Sequence, residues 1–182
     1  WENQLVDGLW TYSIDAIWSG LQDSYADLCA NVRKEYGVEI TKLAAIGVSA
    51  MMHGYMAFDR DQNILVPFRT WRNTNTGPAA AELSKLFNYN IPLRWSISHL
   101  YQAILNGEEH VPQIDFLTTL AGYIHWQLTG RRVLGIGDAS GMIPVDPQTK
   151  DYSAEMVAKF DALIAPKAYG WKLLDILPEA VV

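Results

Sequence analysis

Apolar positions along this chain recur in a few distinct patterns, and each predicts an element. From Leu9 to Tyr36 they fall at steps of three and four, through Trp10, Ile14, Ile17, Leu21, Leu28 and Val32. Such spacing puts one apolar stripe on a long α-helix, which Gly37 can close in a left-handed cap. The helix should lie across a sheet. Leu43 to Ala50 is different: a short apolar run of small and β-branched residues, stopping at Met51-Met52-His53-Gly54. This predicts a buried strand with a polar C-terminal tip, the place where open α/β sheets hold ligands. Tyr55 to Phe58 resumes an extended pattern, Asp59 to Asn63 is a turn cluster, and Ile64 to Val66 predicts a second short strand.

Further along, Gly77-Pro78 opens a helix to about Asn88, with Pro78 suited to its first turn. Asn90-Ile91-Pro92 is a breaker, and another helix runs from near Ser96 to Asn106-Gly107. Phe116-Leu117 fits a brief strand, while Leu120, Ile124 and Leu128 have helical spacing up to Thr129-Gly130. Arg131 to Ile136 is β-like, and Gly135 to Gly141 is a loop of small residues. Ser153 caps a last helix to about Leu163. No repeat or linker divides the chain, so the pattern predicts one α/β unit.

Composition narrows the class. With 182 residues, 49% apolar and 19% charged, the chain can build a globular core. A net charge of −6 and the lack of a Lys/Arg run argue against a nucleic-acid surface. The single cysteine, Cys29, excludes an internal disulfide and suits a reducing cytoplasm. Neither a signal-peptide pattern nor a long apolar run is visible, so no membrane is expected. The chain opens on Trp1 rather than Met, and we expect it to be a piece of a longer protein.

The candidate chemistry clusters between Met52 and Asn73. His53 could bind a substrate hydroxyl, act as a base, or satisfy a loop carbonyl. Gly54 behind it suits a close backbone approach or a positive φ. Trp71 could stack on the C–H face of a sugar or cover the core as a rim residue, and Arg72 and Asn73 beside it are donors. Asp138 reads as a turn or cap residue rather than a base or a metal ligand. Metal-ligand spacing does not emerge among His99, His110, His125, Cys29 and the acids. Gly135-x-Gly137 is not a dinucleotide fingerprint, and no GxxxxGK[ST] occurs. Residues alone thus point to an α/β domain with one polyol pocket.

Met52-His53-Gly54 ends the run AIGVSA and is followed by Trp71, eighteen residues after the histidine; this resembles the FGGY carbohydrate kinases. Trp1-Glu2 is similar to that family's tryptophan-acid lead, and Phe68 to Asn73 to its proline, then Trp-x-Asp segment. Leu128-Thr129-Gly130 followed by Gly137-Asp138-Ala139-Ser140-Gly141, and Asp146 to Tyr152, resemble its later stretches in order. The likeness covers essentially the whole chain.

The resemblance implies an α/β, ribonuclease H-like (actin-type ATPase) N-terminal domain, incomplete here. Residues 1–182 would be its central part, with the N-terminal strands and the C-terminal domain outside the chain. For the parent protein it implies cytoplasmic, ATP- and Mg2+-dependent phosphorylation of a ketose or polyol of xylulose or ribulose type. It carries a sugar-side role onto Met52, His53, Trp71, Arg72 and Asn73, and onto Trp95 in the segment from Arg94 to Ser98. The partner is then a small-molecule sugar, with no nucleic acid or membrane, and a homodimer is one option for assembly.

Departures from the family pattern qualify that transfer. The Asp-x-Gly-Thr phosphate segment is absent, and the catalytic aspartate is expected beyond Val182, so no catalytic residue is assigned. Trp71-Arg72-Asn73 replaces Trp-x-Asp, removing a carboxylate acceptor for sugar hydroxyls. The segment alone should bind neither ATP nor Mg2+, have no kinase activity, and expose an unpaired edge and an apolar face. The competing expectation is a non-catalytic carbohydrate-binding or regulatory relative.

Overall fold

The computed structural model describes residues 4–182, so the Trp1-Glu2 lead lies outside the described residues. Strand β1 (Gln4–Val6) pairs antiparallel with β2 (Leu9–Thr11), with Leu5 opposite Trp10. Asp7 and Gly8, both at positive φ, make the two-residue turn that such a hairpin favours. Trp10 therefore belongs to a strand and not to the helix expected from Leu9. Helix α1 spans Ile14–Tyr36; the Ser13 hydroxyl accepts from the Ala16 amide at 3.1 Å, and Gly37 closes the helix at φ 68°.

Burial along α1 is uneven. Ile17 is buried and Trp18 and Leu21 pack on the core, but Tyr25, Leu28 and Tyr36 are largely exposed. The expected strand from Leu43 to Ala50 does not form: no residue from 38 to 50 joins a β-ladder, and Leu43 and Ile46 are exposed. An apolar run supplies only half of a strand, because the ladder also needs a neighbour. Among the described residues no segment pairs with this one.

Strand β3 (Met56–Phe58) takes up the extended pattern, and Phe58 bridges to Ile64 across the turn. Then come α2 (Gly77–Phe87), closed by Asn88 in the left-handed region, and α3 (Ser96–Leu105). After a single 3-10 turn at Val111–Gln113, strand β4 (Phe116–Thr118) pairs antiparallel with β3, Ala57 opposite Leu117. Helix α4 (Leu120–Thr129) follows at once, capped by Thr119 and ended by Gly130 at φ 74°. Strand β5 (Val133–Gly135) runs parallel to the last strand, β8 (Glu179–Val181). Between them lie the short helix α5 (Ile136–Ala139), the hairpin β6 (Val145–Asp146) and β7 (Asp151–Tyr152), helix α6 (Ala154–Ile164) capped by Ser153, and α7 (Leu173–Ile176).

The β3–β4 pair divides the core. Successive side chains of a strand point to opposite faces. Tyr55, Ala57 and Leu117 accordingly face a cluster with Leu83, Leu100, Phe160 and Leu173. Met56, Phe58 and Phe116 face the other way, toward Ile17, Phe68, Tyr123 and Trp126. The chain just before β3 is thereby held at the seam between two cores. No helix among the described residues is long and apolar enough to cross a membrane.

Candidate functional site

Gly54 is where three separated segments meet. Its amide donates to the Arg94 carbonyl at 3.1 Å, and its own carbonyl accepts from the Ser96 hydroxyl at 2.6 Å. One residue on, Tyr55 and Arg69 exchange backbone hydrogen bonds of 2.9 and 3.1 Å. Gly54 has φ +114°, and a Cβ there would stand 2.6 Å from the Arg69 carbonyl oxygen. Close approach and positive φ thus both require glycine. The joined segments enclose an open pocket of about 790 Å3, lined by Met52, His53, Trp71, Asn73 and Arg94 among others.

His53 is half-buried, with Nδ1 3.3 Å from the Gly141 carbonyl oxygen. A carbonyl can only accept, so Nδ1 carries the ring hydrogen and Nε2 keeps its lone pair. Burial lowers the pKa of the ring; the Gly141 carbonyl opposes this, Arg94 adds to it, and Asp138 opposes it again, with the net shift downward. A neutral imidazole with a free Nε2 can accept a hydroxyl hydrogen. The approach is close: a Cβ on Gly141 would lie 2.7 Å from His53 Nδ1 and 2.7 Å from the Met52 carbonyl oxygen. The stretch from Gly135 to Gly141, expected as a loop, instead ends strand β5 and forms the single turn of α5, and its last residue, Gly141, orients His53. Asp138 sits in the first turn of α5 and burial raises its carboxyl pKa, against the opposing effect of His53.

Trp71 is 53% exposed, on a turn closed by the Asn73 amide donating to the Thr70 carbonyl at 3.2 Å. Asn73 itself is buried, and its side chain acts as a neighbour for β2. Its Oδ1 accepts from the Trp10 amide at 2.8 Å, and its Nδ2 donates to the carbonyls of Trp10 and Thr70 at 2.9 and 3.0 Å. Asn73 shapes the wall with its amide already committed. Arg72 turns to the hairpin, its guanidinium 3.9 Å from the Trp10 ring centroid.

The structure thus brings Met52, His53, Trp71 and Asn73 together in one pocket, and leaves Arg72 and Trp95 off its lining. Trp95 is the residue preceding α3, with its ring 6.5 Å from that of Tyr89. The segment's lining residue is its neighbour Arg94, which the sequence named only as the start of that stretch. No local signal favours Arg94 over the aromatic; its Cα is placed by the hydrogen bond to Gly54, forty residues away in sequence.

A second group of polar residues lies behind the pocket wall. Arg69, 6% exposed, is paired bidentately with Glu108. His110 Nδ1 lies 3.5 Å from the Glu108 carboxylate, and its Nε2 is 2.7 Å from the Tyr55 hydroxyl. The carboxylate fixes the tautomer: Nδ1–H points to Glu108, so Nε2 accepts from Tyr55. His99 is buried beside the same tyrosine, ring centroids 6.3 Å apart, with neither ring nitrogen hydrogen-bonded. Nothing along the chain marks these histidines as a group, because what unites them is the shared contact with Tyr55.

For a metal or nucleotide the described residues offer little. The pocket lining contains no carboxylate, and no three His, Cys, Asp or Glu side chains among the described residues converge on a common point. The lining does not fit a Mg2+–triphosphate. What it can do is hold and orient a small polar ligand: a ring face at Trp71, a hydroxyl acceptor at His53, a cation at Arg94.

Comparison with solved structures places the architecture. The chain superimposes on a xyloylose kinase from Brucella ovis with a TM-score of 0.77 at 20% identity, covering 98% of this chain and 35% of that one. It matches a gluconate kinase from Lactobacillus acidophilus (TM-score 0.73, 17% identity, 98% and 35% covered). A xylulose kinase from Bifidobacterium adolescentis is also similar (TM-score 0.69, 17% identity, 94% and 40% covered). This chain spans about 35–40% of the length of these proteins. At such identities the likeness establishes the fold: mixed α/β, of the ribonuclease H-like, actin-type kind, matching the N-terminal domain of these kinases. The family model for the N-terminal domain of the FGGY carbohydrate kinases matches residues 6–166, so this chain belongs to the FGGY family of carbohydrate kinases.

Proposed function

We propose that residues 1–182 are the central part of an N-terminal sugar-kinase domain and form the sugar side of its cleft. The parent protein would transfer the γ-phosphoryl group of ATP to a hydroxyl of a ketose or polyol of xylulose or ribulose type. The observation that carries this reading is the convergence of Met52, His53 and Trp71 on one pocket, with His53 neutral and its Nε2 free. His53 accepts a hydrogen bond from a substrate hydroxyl, and Trp71 offers its ring to the apolar C–H face. Both act on orientation, which is the larger part of what phosphoryl transfer asks of a protein.

ATP and Mg2+ supply the phosphoryl group and its charge neutralisation in the full-length protein, on residues outside this pocket. The protein would act in the cytoplasm on a free small-molecule sugar, without nucleic acid or membrane, with a homodimer as one assembly. The test is an ATP-consumption screen of the full-length protein over xylulose, ribulose, fuculose, rhamnulose and glycerol, repeated with His53→Ala and Trp71→Ala. Turnover with one acceptor, weakened by both variants, supports the reading. Sugar binding without ATP consumption would replace it with the non-catalytic carbohydrate-binding alternative. The isolated 182 residues should show no ketose-dependent ATP turnover.

A further inference from the structure

His53 and Trp71 sit on two segments that meet at one isolated antiparallel bridge, Tyr55 with Arg69, held by two backbone hydrogen bonds. Each bridge residue stands two positions from a ligand-facing one: Tyr55 after His53, Arg69 before Trp71. A lone bridge does little to fix register, which longer ladders and their buried faces normally set. The same two residues are joined a second time, through their side chains. The Tyr55 hydroxyl reaches His110 Nε2 at 2.7 Å, and the Arg69 guanidinium pairs with both carboxylate oxygens of Glu108. Glu108 in turn lies 3.5 Å from His110 Nδ1. Bridge and side chains thus close one loop, and across it the Arg69 guanidinium lies 5.3 Å from the Tyr55 ring centroid. Tyr55, Arg69 and His110 are all buried.

Glu108 is the joint of this loop, and it is braced in its own right. Asn106 Nδ2 donates to its carboxylate at 3.1 Å, and its amide donates to the Ala103 carbonyl at 3.0 Å, near the end of α3. The first residue of that helix, Ser96, holds the Gly54 carbonyl. A buried ion pair is often no more stabilising than apolar residues of the same volume. What a two-point guanidinium–carboxylate pair does confer is a fixed geometry. Glu108 is not part of the pocket lining. We infer that Glu108 is a positioning residue of the sugar site. By tying Arg69 to His110 it sets the separation of Trp71 from His53, and so the affinity for the ligand, without touching it. The inference rests on the sugar-side reading above and adds the residue that holds the two ligand-facing side chains in register.

Glu108→Gln keeps the side-chain volume and removes the charge that holds the Arg69 fork. The test uses the full-length protein and the acceptor picked out by the screen above, with D-xylulose as the first probe. Calorimetric Kd and KM for that acceptor should rise about tenfold, while KM for ATP changes by less than about twofold. On a Trp71→Ala background the same substitution should cost less than about threefold, because a separation matters only while both its ends are present. Arg69→Gln combined with Glu108→Gln removes the unpaired buried charge, so thermal stability should return toward that of the unsubstituted protein while affinity stays low. Tyr55→Phe opens the loop at its other link and should weaken binding about threefold or more with the same dependence on Trp71, so the outcome does not hang on whether Glu108→Gln folds. Affinity that recovers together with stability in the double variant would reduce Glu108 to a residue of the fold and overturn the inference. So would a Glu108→Gln loss equally large on the Trp71→Ala background, or acceptor affinity unchanged in Glu108→Gln and Tyr55→Phe. In each of those cases the unsubstituted protein still binds sugar and the sugar-side reading stands. If it binds none of the sugars screened, that reading fails and the inference falls with it.

Discussion

The Tyr55 hydroxyl and His110 Nε2 lie 2.7 Å apart, joining residues 55 positions apart in a buried hydrogen bond. Tyr55 is fully buried immediately after Gly54, so the bond fixes the back of the segment that carries His53. Tyr55→Phe keeps the ring and removes the donor, leaving His110 Nε2 buried without a partner. The expected cost is about 1–3 kcal/mol in urea unfolding of the full-length protein. A variant as stable as the parent would mean that water replaces the hydroxyl.

Stability should fall with acid. Burial and the charge of Arg69 lower His99 to about 3 from an ordinary 6.5, and burial and Arg69 also lower His110, against the opposing charge of Glu108. Both histidines hold a proton less readily in the folded chain than in the unfolded one. Above pH 6.5 neither state binds a proton and the histidines contribute nothing. Below it only the unfolded chain does, so each further unit costs up to about 1.4 kcal/mol for His99 until its folded pKa is reached. Glu108 acts in the same direction at lower pH: burial raises its pKa, but Arg69, Asn106 and His110 outweigh that, so protonating it removes stability. Denaturant melts at pH 7, 6 and 5 should show the decline, and His99→Leu should flatten it while stabilising the protein at pH 7. An unchanged slope in His99→Leu would place the effect elsewhere.

Gly141→Ala should disturb the ligand more than the fold. The added methyl would press on His53 Nδ1 and the Met52 carbonyl, each at 2.7 Å, and the ring is the softer of the two. Sugar affinity is expected to drop about tenfold or more, roughly 1.4 kcal/mol, with a smaller loss in unfolding free energy. Equal losses in both measurements would show that the loop merely supports the core.

Trp71→Ala separates the two readings of that ring. A residue 53% exposed contributes little to the core, so the melting midpoint should move by no more than the equivalent of about 0.5 kcal/mol. Sugar affinity measured by calorimetry should weaken about tenfold. A large stability loss with unchanged affinity would make Trp71 a rim cover.

What could be read from the sequence was what short-range chemistry decides. Gly37, Gly130 and Ser153 end or begin helices where expected because a left-handed cap or a hydroxyl acceptor acts within one turn. Likewise, the His53-Gly54 segment and Trp71 were legible as one side of a pocket, which the structure assembles. The misses are non-local. Trp10 has helical spacing with Ile14 and Ile17, yet its backbone is hydrogen-bonded to Asn73, 63 residues away. The strand expected from Leu43 to Ala50 has the right composition, but pairing depends on a neighbour that no property of the run specifies. In the segment from Arg94 to Ser98 the residue on the pocket lining is Arg94, whose carbonyl accepts from the Gly54 amide forty residues away, a contact no local signal gives.

Trp71 stands on a turn held at both ends. The Thr70 amide donates to the Trp10 carbonyl at 3.1 Å, and the Asn73 side chain clasps the same residue from the other side. The disorder that a free loop would lose on meeting its ligand is therefore surrendered when the chain folds. On the sugar-side reading proposed above, recognition at this wall is a matter of fit to a standing surface, and the N-terminal hairpin, which is not part of the pocket lining, sets how tightly that surface can bind.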